Sequence, residues 1–370
     1  MKRTNFFIFA GEASGDLHGA HLMKTLKQLQ PEAAFQGVGG EKMALQGLHS
    51  LFPFDDLQVM GFTDVLFSLP KLFKCLTTCT ETILKGNPDA CILIDYQGFN
   101  IKLAQSIRSK GYKGKIILYV SPSVWAWGQS RIKKMEKAYD LVLSILPFEP
   151  KYYEGSALPA KYVGNPLIEG IQNYAYDPNW KIKTSLPEDK KLIALFPGSR
   201  PAEIQKNLPL QIRAVKKLLD KDPNLHVVVS LKDKSLLPND PRFSLLPKAY
   251  HYECMKECSG AIAKSGTITL ELALHGTPFV VTYPVGGINY LIAKYILQLS
   301  LKNYCLANIL LNETIYPEWI GYWLDSSTIA NSLEEVMRSQ KNKQASERLK
   351  QILGGKQASL EAAKTILDTL

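Results

Sequence analysis

Twice along this chain an apolar run of strand length breaks into a glycine-bearing turn and then into a helical pattern. The first is Asn5 to Ala10 followed by Gly11-Glu12-Ala13-Ser14-Gly15-Asp16, the second Leu192 to Phe196 followed by Pro197-Gly198-Ser199-Arg200. In an open α/β sheet such turns lie at the carboxyl ends of the strands, where helix N-termini offer N–H groups and partial positive charge to anions. Two of them predict two Rossmann-like domains with parallel sheets, each bringing one mouth to a shared cleft.

Length supports two domains, since 370 residues exceed the usual range for one. Domain boundaries are expected at 1–171, 172–345 and 346–370, the last a C-terminal helix able to cross back to the N-terminal domain. With 46% hydrophobic and 21% charged residues the composition is that of a globular chain. A net charge of +10 is spread over both halves. It favours anionic partners such as a phosphorylated substrate, an acidic membrane surface or nucleic acid, and predicts no basic tail. The Met1-Lys2-Arg3 start resembles a signal peptide only superficially, because the apolar run after it is short and passes straight into Gly11-Glu12. No run reaches the roughly 18 apolar residues of a membrane span, so a cytoplasmic protein is expected. Cys75/Cys79 and Cys254/Cys258 are four apart, a helix spacing rather than a zinc-site spacing, so buried free thiols and no metal are expected.

Strand-length runs at Phe6–Ala10, Phe35–Val38, Cys91–Ile94, Ile116–Val120 and Leu141–Leu146 alternate with helical stretches such as Leu17–Leu29. Leu192–Phe196, His226–Ser230, Ala261–Ala263 and Phe279–Tyr283 repeat the alternation in the second half. That rhythm predicts parallel sheets covered by helices. Gln172 to Lys191 reads as a polar linker, and Ser327 to Leu370 as helical.

Asp95 ends the run Cys91-Ile92-Leu93-Ile94, which places its carboxylate at a carboxyl edge. There it can take a proton from a substrate hydroxyl, or merely cap the following turn. Glu12 and Asp16 are similar candidates, with Asp16 equally suited to N-cap the first helix. Gly198, Ser199 and Arg200 open a helix with the close approach, hydroxyl and guanidinium that suit a diphosphate. Ser265-Gly266-Thr267 repeats that arrangement, and Glu271 lies one turn on, spaced to meet a ribose. Gly37-Val38-Gly39-Gly40 lacks the third glycine of a dinucleotide fingerprint, and neither a G-x-S-x-G elbow nor a Walker A sequence occurs. These absences count against nicotinamide-dependent, elbow-hydrolase and P-loop chemistry. Val59 to Phe73, apolar with Lys71 and Lys74 alongside, suits contact with anionic lipid or an acyl chain, or simply a core.

Together the residues resemble the lipid-A-disaccharide synthases, inverting glycosyltransferases of GT-B architecture. The marks are Ala10 to Asp16, Gly37 to Gly40, Met60-Gly61-Phe62, Ile94-Asp95 with Phe99-Asn100, Tyr119 to Trp127, Leu146 to Glu149, Pro197 to Arg200, and Ser265-Gly266-Thr267 with Glu271. Ser121-Pro122-Ser123-Val124-Trp125-Ala126-Trp127 is the most specific. The resemblance implies condensation of UDP-2,3-diacylglucosamine with 2,3-diacylglucosamine 1-phosphate, releasing UDP; the alternative is another UDP-sugar enzyme of the same architecture, acting on a different lipid-linked acceptor or as an epimerase. It assigns Asp95, Glu12 and Ser14 to catalysis, and Gly15, Asp16, Met60, Ser121, Trp125, Gly198, Ser199, Arg200, Ser265, Gly266, Thr267, Glu271 and Asn308 to substrate binding. No cofactor, metal or nucleic acid is implied, and the location is peripheral, on the cytoplasmic face of the inner membrane. This chain departs from the family pattern at Tyr96-Gln97-Gly98, which leaves Asp95 alone to inherit the role of base, and also at Asn165, Cys305 to Ala307 and Gly321.

Overall fold

The computed structural model describes residues 3–54, 65–127, 130–285 and 302–370. It divides into two compact units, one of Met1–Glu169 with Gly355–Leu370, the other of Gly170–Gly354.

The first unit carries seven strands, β1 (Asn5–Ala10), β2 (Ala34–Val38), β3 (His49–Ser50), β4 (Ala90–Ile94), β5 (Lys115–Tyr119), β6 (Leu141–Ser144) and β7 (Ala160–Tyr162), in the order β3-β2-β1-β4-β5-β6-β7. All pairs are parallel. A sheet covered on both faces needs strands that are apolar throughout, and β4 (ACILI) is buried at every position. Its residues alternate between two cores. Cys91 and Leu93 pack with Phe7, Phe9, Cys79 and Leu103 on one face. Ile92 and Ile94 pack with Ile8, Leu22, Leu26 and Ile366 on the other. Ile366 comes from the last helix, Ala358–Thr369, which returns to this unit from the far end of the chain.

The second unit repeats the plan with β8 (Lys191–Phe196), β9 (Leu225–Val229), β10 (Phe243–Leu245), β11 (Gly260–Lys264), β12 (Phe279–Pro284) and β13 (Glu318–Gly321). Their order is β10-β9-β8-β11-β12-β13, again parallel. Helices Pro201–Leu219 and Ser326–Arg338 cover one face through Leu210, Ala214, Leu218, Ile329 and Leu333.

Both sheets therefore reverse strand order at one place, between β1 and β4 and between β8 and β11. That reversal is where doubly wound sheets open a ligand crevice beyond their carboxyl ends.

Three sequence expectations need adjusting. The stretch 172–191 is not a plain linker: it forms the helix Trp180–Lys183, fully buries the Trp180 ring, and ties itself down through Tyr174, whose hydroxyl bonds Glu253 at 3.0 Å. The helix Lys341–Leu353 stays with the second unit, so the chain crosses back at Gly355 rather than near 346. Four short strands, β3, β7, β10 and β13, lie beyond the strand-length runs read from the sequence.

Candidate active site

In the first unit the register aligns Ala10, Ile94 and Tyr119, so the turns after β1, β4 and β5 stand side by side at one edge. Asp95 and Tyr96, which follow β4, both adopt the left-handed region, with φ of 50° and 45°. Val120, after β5, does so too at 72°. For non-glycine residues each such position costs on the order of 1–3 kcal/mol, and such strain concentrates at functional sites. The buried Asn100 clamps the strained turn, its amide donating to the carbonyls of Ile94 at 3.2 Å and Asp95 at 2.6 Å. The Tyr96 ring lies over Gly11, where a Cβ would come within 2.6 Å of it; glycine is required there for that reason.

The strained turn holds the Asp95 side chain half-buried. Burial, with the Glu12 carboxylate nearby, pushes its carboxyl up to about 6, although the Tyr96 N–H favours the charged form. A carboxylate so tuned is a workable general base near neutrality. Glu12 occupies the N-cap of the helix Ala13–Leu29, and Ser14 lies half-buried in its first turn. Gly15 lets that helix sit close on the strand, a Cβ there meeting Ala10 at 3.3 Å.

Asp16 has a structural job beyond the roles of base, N-cap of the first helix and substrate ligand expected of it. It is buried in the fourth position of the helix rather than at its N-cap, and its carboxylate accepts from Gly40 N–H at 2.8 Å, Lys42 N–H at 3.1 Å and Met43 N–H at 3.1 Å. It thus caps the short helix Glu41–Ala44, whose own N-cap, Gly40, has no side chain to do so. Ser121 is likewise buried, bonded to the Tyr153 hydroxyl at 2.9 Å. Trp125 packs edge-on to Phe148 beside Glu149, a 2% exposed residue whose carboxyl burial pushes up to about 8, against the pull of the Leu146 N–H, Trp125 and Ser144. Met60 lies outside the described residues.

In the second unit β8 and β11 are neighbours, so the turn through Gly198, Ser199 and Arg200 adjoins the turn through Ser265, Gly266 and Thr267. Gly198 has φ +124° and Gly266 an extended backbone. Each turn opens a helix, Pro201–Leu219 and Thr267–Leu274. Ser199, Arg200 and Thr267 are exposed. The sequence reading overlooked Glu203. Its carboxylate bends back to accept from Ser199 N–H at 3.2 Å and Arg200 N–H at 3.4 Å, and pairs with Lys264 at 2.9 Å. The signal was available, since a glutamate three positions after a helix N-cap commonly folds back this way. Half-buried Glu271 has its carboxyl pushed up to about 7 by burial, against the pull of Lys248. Asn308, expected to bind substrate, has its side chain engaged within the fold. Its Nδ2 donates to Tyr316 O at 2.7 Å and Glu318 Oε1 at 2.8 Å, and its Oδ1 accepts from Ile315 N–H at 3.0 Å and Tyr316 N–H at 3.1 Å, which exhausts the amide.

Two Rossmann-like units, each with its polar groups gathered where the strand order reverses, define an α/β protein of the GT-B class. The chain belongs to the lipid-A-disaccharide synthetase family, whose sequence pattern matches residues 6–368. It is 38% identical over 98% of its length to the lipid-A-disaccharide synthase of Chlamydia trachomatis serovar D, and spans 62% of that relative. It is 34% identical to the lipid-A-disaccharide synthase of Paramagnetospirillum magneticum, covering 98% of this chain and 96% of that one. Among solved structures, S. aureus MnaA with UDP shares the fold at a TM-score of 0.69 and 15% identity, over 100% of this chain and 98% of that one.

Proposed function

We propose that this protein condenses a UDP-linked diacylglucosamine with a diacylglucosamine 1-phosphate, releasing UDP and forming the β-1,6 disaccharide of lipid A. The observation that carries the reading is the strained, clamped turn at Asp95, which fixes a carboxylate of raised pKa at the switch point of the first sheet. Family membership supplies the substrates. Asp95 takes the proton from the acceptor 6-hydroxyl as that oxygen bonds the anomeric carbon from one face. The bond from that carbon to the diphosphate breaks on the other face, and UDP leaves with the electron pair. Arg200 and the helix starts at Pro201 and Thr267 take up the charge that develops on the diphosphate. Glu271 receives the ribose hydroxyls.

Docking on the anionic cytoplasmic face of the inner membrane fits the net charge of +10 and substrates that are themselves acidic lipids. Among the described residues no helix is long and apolar enough to cross a membrane.

The test is UDP release by the purified protein supplied with both acylated sugars. Release that depends on the acceptor supports the reading; release without acceptor, or none, contradicts it. Arg200→Ala should raise the donor KM about tenfold or more, as expected for loss of a charge-assisted phosphate contact. An unchanged donor KM would remove Arg200 from the diphosphate site.

A further inference from the structure

The turn expected to hold the diphosphate already holds an anion. Glu203 sits on the N–H groups of Ser199 and Arg200, and its other oxygen pairs with Lys264. The contact is built in: Gly198 adopts φ +124°, and a Cβ there would fall 2.6 Å from Glu203 Oε2. Lys264 is held from a second side by the Tyr283 ring, 5.4 Å away. Burial opposes the Glu203 charge, yet Lys264 and the two N–H donors outweigh it and keep the carboxyl below its usual range. The side chain is therefore ionised at neutral pH.

We propose that Glu203 is an internal counter-anion of the donor site, occupying the phosphate turn and neutralising Lys264, so that it weakens diphosphate binding and speeds the release of UDP. This rests on the donor-site reading above. Two anions drawn to the same N–H groups and the same ammonium compete, so whatever Glu203 satisfies in the empty turn is subtracted from what the diphosphate gains. A site without Glu203 would bind its product more tightly and turn over more slowly once UDP accumulates.

A helix cap alone would predict something else. Glutamine at the same position can still accept from the two N–H groups, so Glu203→Gln keeps the cap and removes only the charge and the ion pair. Calorimetric titration of UDP into the full chain should show Glu203→Gln binding about fivefold tighter or more, with a matching rise in product inhibition. Equal or weaker binding by the folded variant overturns the proposal. Should Glu203→Gln not fold, Lys264→Met gives the second arm. It leaves the carboxylate unneutralised in the turn and should weaken UDP binding at least about fivefold; an unmoved affinity overturns the proposal. Wild-type protein that fails to bind UDP contradicts the donor-site reading itself, a result distinct from a wild type that binds and a variant that does not differ.

Discussion

Asp95 and Asp16 are both carboxylates beside the first sheet, and their surroundings send them to opposite tasks. Asp16 directs its carboxylate to three backbone N–H groups, which it holds in place. Asp16→Ala should strand those donors and lower stability by about 2–3 kcal/mol, read as a fall in the denaturation midpoint. A midpoint within error of wild type would refute the capping role. Asp95 has a raised carboxyl pKa instead, pushed up to about 6 by burial and by Glu12. A base acts in its ionised form, so kcat/KM should climb with pH through about 6 and decline below it; a flat profile from pH 5 to 8 would speak against Asp95 as the base. The same shift has a stability consequence of definite sign. Because the folded protein binds the proton more tightly than the unfolded chain, the stability linked to Asp95 is complete at low pH and lost as pH rises through about 6. Asp95→Asn should accordingly be more stable than wild type at pH 8, by about 1–3 kcal/mol. Asp95 was legible in the sequence because it ends an uninterrupted apolar run. The task of Asp16 was not, since its partners begin 24 residues further on and only tertiary packing brings Gly40 to it.

Helices and strands whose apolar pattern is complete could be read directly, as β1, β4 and β8 show, because burial on both faces leaves no polar position to confuse the signal. The short strands β3 and β7 could not. They sit at the sheet edge or carry mixed patterns such as AKY, and pairing with an existing strand, not local propensity, creates them. The segment 172–191 misled for the opposite reason, since a polar composition concealed one fully buried tryptophan. The lipid contact expected over Val59–Phe73 falls partly outside the described residues. Its described end is on the helix Val65–Gly86, where Phe73 is 61% exposed between the exposed Lys71 and Lys74. An aromatic ring flanked by lysines suits the interface of an anionic bilayer. Phe73→Ser should lower co-sedimentation with vesicles containing phosphatidylglycerol several-fold without altering the far-ultraviolet circular dichroism spectrum; undiminished co-sedimentation would contradict a lipid contact at Phe73.

The two units are built on one plan, and in each the candidate polar groups gather at the same reversal of strand order. A carboxylate and its strained turn mark the reversal in the first, two helix starts and an arginine the reversal in the second. Strand order explains why residues as far apart as Gly11 and Asp95, or Gly198 and Gly266, share a sheet edge, and it is the part of the site least visible in a linear sequence. In the proposed reaction the first unit supplies the base and the second holds the leaving group. The most direct measurement is a paired one on Asp95→Asn, comparing its turnover of the two acylated sugars and its affinity for UDP with those of wild type. The account predicts turnover lowered by about two orders of magnitude or more with UDP affinity kept within about twofold. Turnover near wild type, or a loss of UDP binding that accounts for the lost rate, would contradict it.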